Sequence, residues 1–301
     1  MYLDYFKFKE LPFSITPNIG FFCNLKGHQE ALNTLLFSLR SGEGFIKIVG
    51  EVGAGKTLLC RKLLESLDNE FVTAYIPNPE LNSVELRRAV ARELGIDLSR
   101  LQDQHELHTL INDRLIYLRE AGKNVVLLID EAQALSVESL ETVRLLTNLE
   151  TTKTKLLQVV LFGQPELDEK LNQSNLRQLK QRISFSYYLR ALTRDELDTY
   201  LFYRLAIAGY TQGSLFSKKA KDLLYRASKG IPRVINILCH KALLSSYGGG
   251  KQYITKRIMN IAVKDTETAI HTRQYLPWLL LLSFVVFILF ILSFYFTKGI
   301  I

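Results

Sequence analysis

An eight-residue glycine-rich segment, GEVGAGKT at residues 50–57, constrains the fold of this chain more than any other feature. It matches the pattern G-x-x-x-x-G-K-[ST] and follows a short apolar run, FIKIV at 45–49. The glycines let the backbone curl so that its N–H groups point at phosphate oxygens, and the helix predicted from Lys56 adds partial positive charge. The pattern therefore predicts a strand, a phosphate-binding loop and a helix, in that order.

Such a loop would bind a nucleoside triphosphate through its backbone and two side chains. Lys56 is placed to reach the β- and γ-phosphates, and the hydroxyl of Thr57 is placed to bind Mg²⁺. The other residues expected to contact the nucleotide are Gly50, Glu51, Val52, Gly53, Ala54, Gly55 and Leu58. A glycine-rich turn with an incidental Lys-Thr pair is the alternative.

Strand and helix patterns alternate along the first two thirds of the chain. Apolar runs predict five strands, at 45–49, 71–76, 125–129, 156–162 and 183–189. Helical periodicity separates them, over 56–67, 83–94, 106–121 and 137–149. Strands alternating with helices are typical of βαβ units, so the expected fold class is α/β with a parallel sheet.

The pattern becomes entirely helical after Leu189. Residues 193–196, Thr-Arg-Asp-Glu, form a capping box, and further helices are predicted to begin near 217, 232 and 255. We therefore expect a nucleotide-binding domain at 1–190, a helical lid domain at 191–268 and a juxtamembrane linker at 269–275.

An acidic pair follows the third predicted strand. That strand is continuously apolar, as expected for a strand buried on both faces, and it ends in Asp130-Glu131. Asp130 would lie beside the phosphate-binding loop, where its carboxylate can hold Mg²⁺ directly or through water. Glu131 would then polarise an attacking water as general base. A solvated Asp-Glu turn is the alternative.

Residues 276–296 form a long run without charge, LPWLLLLSFVVFILFILSFYF. As a helix the run would span about 31 Å, against a hydrocarbon core of about 30 Å. Trp278 and Tyr295 lie near its ends, where an interfacial belt is expected. A buried core helix is the alternative, but such a helix should carry a polar stripe. We expect one C-terminal transmembrane helix, followed by a short tail at 297–301.

Flanking charge predicts the orientation of this helix. Lys298 follows the run, whereas five cations precede it within 25 residues: Lys251, Lys256, Arg257, Lys264 and Arg273. The positive-inside tendency places the N-terminal portion in the cytoplasm. The first residues, MYLDYFKFKE, lack an apolar run and a cleavage site, so no signal peptide is expected. The predicted localisation is the inner (cytoplasmic) membrane, single-pass, with the ATPase module in the cytoplasm.

The net charge indicates what kind of partner to expect, and the cysteines indicate whether disulfides or a zinc site are present. The formal net charge of +8 favours anionic partners such as a nucleotide, nucleic acid or acidic lipid. The three cysteines, Cys23, Cys60 and Cys239, are far apart and form no CxxC pair. Neither a disulfide framework nor a zinc site is therefore indicated.

The phosphate-binding loop, the Asp130-Glu131 pair and the helical C-terminal region together resemble an AAA+ ATPase. Finer similarity to the ExeA/GspA-like branch lies in YLDYFKFKELPFSITP at 2–17, HQEAL at 28–32 and FGQPEL at 162–167. The resemblance implies an ATP hydrolase that supports assembly of a type IV pilus (MSHA-type) or a type II secretion apparatus. Its implied partners are ATP, further copies of the chain, inner-membrane assembly proteins and the bilayer, and nucleic acid is not expected.

The resemblance also implies roles for three residues outside the loop. Gln164 matches the sensor-1 position, which would contact the γ-phosphate or the lytic water. Arg182 matches an arginine finger acting on a neighbour's nucleotide, with Arg177 as the competing candidate. Arg233, in GIPR at 230–233, matches the sensor-2 position of the lid. The alternatives are a structural turn for Gln164, a surface ion pair for Arg182 and a helix start for Arg233.

The N-terminal aromatic residues have two interpretations. By resemblance this segment, with Ile15 and Thr16, would lie near the adenine, but the rings could instead pack the segment onto the sheet. The rings are those of Tyr2, Tyr5, Phe6, Phe8 and Phe13. His28 is interpreted as a helix-start or core residue rather than a ligand.

Two other functions stay open from the sequence. A DNA-binding AAA+ ATPase, as in transposition or origin handling, is favoured by the net charge and the lid. The apolar run and the lack of a basic helix-turn-helix count against it. A nucleotide-gated scaffold with negligible turnover is the second alternative.

Overall fold

The computed structural model describes residues 2–99, 104–149 and 155–269, and it contains a five-stranded parallel sheet. All five predicted strands are present, and the α/β class is confirmed. Their bounds are β1 Phe45–Gly50, β2 Phe71–Ile76, β3 Asn124–Ile129, β4 Leu157–Gly163 and β5 Phe185–Leu189.

The strand order β2-β3-β4-β1-β5 determines what lies together at the sheet edge. Every neighbouring pair is parallel, with Val49 of β1 opposite Gly163 of β4 and Ile129 of β3 opposite Leu161. The carboxyl ends of β1, β4 and β3 therefore adjoin one another. Side chains that follow these three strands are brought to one edge of the sheet.

Eight α-helices of the described chain precede the last strand, and four follow it. Those before β5 are α1 Tyr2–Phe6, α2 Lys26–Arg40, α3 Lys56–Ser66, α4 Ser83–Glu93, α5 Gln104–Glu120, α6 Val137–Leu146, α7 Pro165–Leu171 and α8 Arg177–Arg182. Those after β5 are α9 Arg194–Ile207, α10 Lys218–Ser228, α11 Pro232–Gly248 and α12 Lys256–Lys264. The capping box predicted before α9 is confirmed, with both reciprocal hydrogen bonds formed between Thr193 and Glu196.

Burial divides the apolar residues of the described chain into three clusters. Two of them cover the two faces of the sheet, and both include buried residues of β3 and β4. The third joins α9–α12 to the N-terminal aromatic rings, including Tyr2, Phe6 and Phe13. These rings pack on the helices after β5, which corrects the alternative that placed them on the sheet.

The predicted transmembrane helix at 276–296 lies outside the described residues, as do the linker from residue 270 and the tail. Within the part of the chain that the structure describes, no helix combines the length and the apolar character needed to cross a bilayer.

Candidate nucleotide-binding site

The loop after β1 needs glycine at two positions. Gly53 and Gly55 have φ angles of +80° and +104°, in the left-handed region that L side chains rarely adopt. A Cβ on Gly53 would lie 2.5 Å from the Cβ of Arg233, and one on Gly55 would lie 2.9 Å from Nε2 of His28. These glycines thus let the loop curl and let two other elements approach it closely.

Lys56 is the buried cation of this loop. Its side chain begins α3, the residue is 4% exposed, and Nζ donates to the carbonyl oxygens of Gly50 at 2.7 Å and Glu51 at 3.0 Å. Burial lowers the pKa of Lys56, and the nearby carboxylates of Glu131 and Asp130 act in the opposite direction. A bound polyphosphate would supply the negative charge that favours the ammonium form here.

Asp130 and Thr57 meet at the same edge. The carboxylate of Asp130 is buried and accepts hydrogen bonds from the Thr57 hydroxyl and, at 3.0 Å, from the backbone N–H of Glu131. Burial raises the pKa of Asp130, while the hydrogen bond from Thr57 lowers it. A buried carboxylate beside a hydroxyl fits the hard oxygen ligands of Mg²⁺, so these two residues could hold that ion.

Glu131 lies at the centre of a hydrogen-bonded trio. Its Oε2 accepts from Nε2 of Gln164 at 2.8 Å and from Nε2 of Gln133 at 2.5 Å. The backbone N–H of Gln164 donates to Oε1 of Gln133 at 3.0 Å, which closes the set. Glu131 also has a φ of +50°, an unfavourable backbone conformation for a residue with a side chain. The surrounding contacts hold the carboxylate in this position.

Gln133 is a site residue that the sequence interpretation missed. It lies in the turn after β3, where Lys170 of α7 fixes the backbone by donating to the carbonyl oxygens of Gln133 and Leu135. The sequence shows that Gln133 lies two residues after Glu131. Its link to Gln164, 31 residues further on, depends on the pairing of β3 with β4.

One cavity collects most of the predicted nucleotide contacts. Residues 52, 53 and 55–58 of the loop segment line it, whereas Gly50, Glu51 and Ala54 do not. Glu131, Arg233 at the start of α11, and Ile15 and Thr16 of the N-terminal segment also line it. The backbone N–H of Arg233 donates to the carbonyl oxygen of Gly53 at 3.2 Å. The structure therefore brings the start of α11 and the phosphate-binding loop into direct contact.

Arg204 of α9 is a second site residue that the sequence interpretation missed, and it joins the N-terminal segment to α9. Arg204 is 5% exposed, and its Nε donates to the carbonyl oxygen of Pro12. The guanidinium carbon Cζ lies 4.6 Å from the ring centroid of Phe21. It also donates to the hydroxyl of Tyr200 at 3.1 Å. Arg204 lines the cavity as well, so one wall of the site is anchored by a buried charge.

Arg182 lies away from this cavity. Its Nη1 donates to Oγ1 of Thr147 at 3.1 Å, and it lines a separate cavity with Gly44 and Phe45 at the start of β1. The phosphate-binding loop follows the other end of β1, about 16 Å along the strand. The structure does not bring Arg182 to the loop of its own chain. Arg177, the competing candidate, is exposed at the start of α8.

His28 of α2 contacts the backbone of the phosphate-binding loop. It is 8% exposed, and its Nε2 hydrogen bonds to the carbonyl oxygen of Ala54 at 3.1 Å. Its ring also makes a T-shaped contact with the ring of Phe22, with the centroids 6.1 Å apart. This agrees with its interpretation as a core residue. Burial lowers the pKa of His28 below its usual 6.5, with an opposing contribution from the bond to Ala54.

The stability of the folded protein should therefore depend on pH through His28. The folded state prefers the neutral ring, so the unfolded chain binds the proton more readily, and unfolding becomes easier as pH falls below about 6.5. We expect His28→Gln, which keeps a donor towards Ala54, to flatten the decline in melting temperature between pH 7.5 and 5.5. Thermal melts of both proteins measure this, and His240 contributes equally to each. Identical slopes would contradict the prediction.

Comparison with known proteins agrees with this geometry. Residues 39–171 match the AAA domain family. The chain is 44% identical over 267 residues to General secretion pathway protein A of Aeromonas hydrophila, an alignment covering 89% of this chain and 49% of the relative. The chain thus spans about half the length of the curated relative that it matches.

Solved structures share the fold at low identity. The ORC2 protein of Aeropyrum pernix is 18% identical, with a TM-score of 0.60 over 84% of this chain and 70% of that one. Cdc6p of Pyrobaculum aerophilum is 19% identical, with a TM-score of 0.63 over 84% and 68%. The RuvB branch migration motor of Thermotoga maritima is 16% identical, with a TM-score of 0.52 over 79% and 68%. At these identities the likeness extends to the fold alone.

Proposed function

We propose that this chain, whose residues 39–171 match the AAA domain family and which is similar to General secretion pathway protein A, is a membrane-anchored ATP hydrolase supporting assembly of a type II secretion apparatus or a type IV pilus. The 44% identity to this relative over most of the chain is the observation that supports the assignment to this pathway. The MSHA-type pilus is the narrower form of the proposal and rests on resemblance of layout.

ATP would bind between the proposed nucleotide-binding domain, 1–190, and the proposed lid, 191–268. Lys56 would exchange its two carbonyl partners for phosphate oxygens, and Arg233 would approach the phosphates from α11. Because Arg233 already contacts Gly53 through its backbone, nucleotide binding would be coupled to the position of the lid. Mg²⁺, when bound, would neutralise phosphate charge, and Thr57 and Asp130 are the residues that would hold it.

Hydrolysis would use the trio around Glu131. Glu131 would take the proton of the attacking water, as a positioned carboxylate can. Gln164 would turn its amide to the γ-phosphate or the water, as the sensor-1 role requires. Gln133 would keep its hydrogen bond to Glu131 and hold the carboxylate in its orientation towards the water, so it would act as a positioning residue.

Replacement of Gln133 by leucine should slow hydrolysis while leaving nucleotide affinity intact. It removes a hydrogen bond to a charged group, worth about 1.5–3 kcal/mol, from a residue that need not touch ATP. We expect kcat to fall roughly 10- to 100-fold and the dissociation constant for ATP to change little. Phosphate release and equilibrium binding measure the two quantities. Gln178→Leu, on the exposed side of α8, is the matched control, and equal loss of binding and turnover would contradict the role.

Arg182 would complete the site of a neighbouring copy. Its location at the opposite end of β1 from its own loop supports a role in trans, if the chain assembles into a homo-oligomer. Mixing Arg182→Ala with Lys56→Ala should then restore part of the activity that each variant lacks. Absence of recovery at every mixing ratio would contradict this role, and recovery with Arg177→Ala instead would transfer it to Arg177.

Membrane anchoring is proposed from residues 276–296 together with the cationic flank before them. Purification of the full chain from detergent-solubilised membranes of its native cell tests both anchoring and pathway. With ATP present, Glu131→Gln should retain inner-membrane secretion or pilus assembly proteins that Lys56→Ala does not. Recovery of the chain entirely with the cytosol, or with nucleic acid in place of such proteins, would contradict the proposal.

A further inference from the structure

Helix α12 presents a cationic face to solvent. Its buried side, Met259, Ala262 and Val263, packs with α10 and α11. The exposed positions at helical spacing are Lys256, Arg257, Asn260, Ile261 and Lys264. We call Lys256, Arg257 and Lys264 the basic face.

The three cations of the basic face lack ion-pair partners among the described residues. Helix α12 itself contains no carboxylate. Asp265, the nearest acid, is paired with Lys241 at 2.8 Å, which leaves exposed Glu267 as the opposing charge nearby in the sequence. Two other cations of the helices after β5, Arg194 and Lys221, are paired with carboxylates, as Arg194–Asp222, Arg194–Asp198 and Lys221–Asp198. The basic face therefore keeps its charge available for an external anion.

Half-exposed apolar groups accompany these charges. Ile261 lies on the same exposed side of α12 and is 50% exposed, and Tyr253, two residues before the cap Thr255, is 44% exposed. Cations mixed with an aliphatic and a tyrosine side chain are typical of surfaces that lie at the boundary between lipid headgroups and water.

The length of chain that follows limits how far this face can lie from a bilayer. Six residues, 270–275, separate Ala269, the last described residue, from the start of the apolar run at 276. The seven Cα–Cα steps from 269 to 276 can span at most about 25 Å. Helix α12 ends only five residues before Ala269. The anchoring proposed above would therefore hold α12 near the surface of the leaflet.

We propose that the basic face of α12 binds the anionic phospholipid headgroups of the leaflet from which the C-terminal run enters the membrane. The inference rests on the proposed anchoring and adds that the lid docks on the bilayer with a defined side. Each lysine or arginine at an anionic surface strengthens association about fivefold, so three cations together contribute on the order of 100-fold. Docking would orient the nucleotide site and the opposite end of the sheet relative to the membrane.

The full chain in lipid nanodiscs provides the test. Asn260→Cys places a label in the middle of the basic face, and the native Cys23, Cys60 and Cys239 are buried. An environment-sensitive fluorophore at 260 would report contact with a headgroup spin label. We expect strong quenching in discs that contain phosphatidylglycerol, weak quenching in pure phosphatidylcholine, and loss of the difference in high salt.

Charge reversal separates this face from general attraction. Lys256→Glu, Arg257→Glu and Lys264→Glu together should abolish the quenching specific to anionic lipid. The matched control reverses three cations of the neighbouring helix, Lys218, Lys219 and Arg226, and should preserve it. Equal loss in both triple variants would overturn the proposal.

The outcomes also distinguish docking from anchoring. A chain that enters the discs, hydrolyses ATP and shows the same quenching in both lipids would overturn the docking and leave the proposed function standing. A chain that separates from the discs during gel filtration would contradict the anchoring and, with it, the docking.

Discussion

Lys56→Ala should abolish ATP binding at micromolar nucleotide. In the structure Nζ is buried and satisfied by the carbonyl oxygens of Gly50 and Glu51, so it is already positioned at the mouth of the loop. Two charge-assisted hydrogen bonds to phosphate, at about 1.5–3 kcal/mol each, correspond to a loss of roughly 10²- to 10⁴-fold in affinity. Equilibrium dialysis with labelled ATP measures the change.

Lys62→Ala is the matched control for this result. Lys62 lies on the same helix, six residues further on, and forms a partly exposed ion pair with Glu65 at 2.7 Å. Its removal takes away the same charge and side-chain length and should leave affinity unchanged. Equal affinities of the Lys56→Ala and unsubstituted chains would show that the phosphates are bound elsewhere.

Glu131→Gln should retain ATP and lose hydrolysis. The substitution keeps the size of the side chain and its acceptor oxygen for the amides of Gln133 and Gln164, but it removes the basic carboxylate. General-base catalysis contributes about 10²- to 10⁴-fold, so kcat should fall by that factor while the dissociation constant for ATP stays within about twofold. Single-turnover phosphate release, measured alongside binding, separates the two effects.

Glu169→Gln provides the comparison for Glu131→Gln, because Glu169 is exposed on α7 and lies outside the trio. Its turnover should equal that of the unsubstituted chain. Full activity of Glu131→Gln would transfer the role of base to another group. Parallel loss of binding and turnover would mean that the carboxylate supports the loop rather than the reaction.

The elements that the sequence predicted well carry strong local signals. The capping box at Thr193 forms as its residue types require, and the continuously apolar β3 is buried from its second residue onward. Helices α1, α2, α7 and α8 escaped prediction. Helix α1 is only five residues long, and α2, α7 and α8 have no N-cap side-chain hydrogen bond. Helix α8 is also only six residues long, so its periodicity is too short to recognise.

The site residues differ in the same way, between those with a local sequence signal and those without one. Asp130 and Glu131 follow β3 directly, and Lys56 and Thr57 follow β1 at the spacing of the glycine-rich pattern, so the sequence predicts where all four lie. Contacts that depend on strand order or on the packing of the helices after β5 could not be predicted from the sequence in this way. They include the bond between Gln133 and Gln164, the anchoring of the N-terminal segment by Arg204, and the position of Arg182 at the far end of β1.

Calorimetric titration of the full chain in detergent with ATP and Mg²⁺ tests the central claim most directly. The account predicts one saturable site per chain, whose binding heat disappears in Lys56→Ala and persists in Glu131→Gln. Absence of saturable heat in the unsubstituted chain, or the same heat in Lys56→Ala, would contradict it.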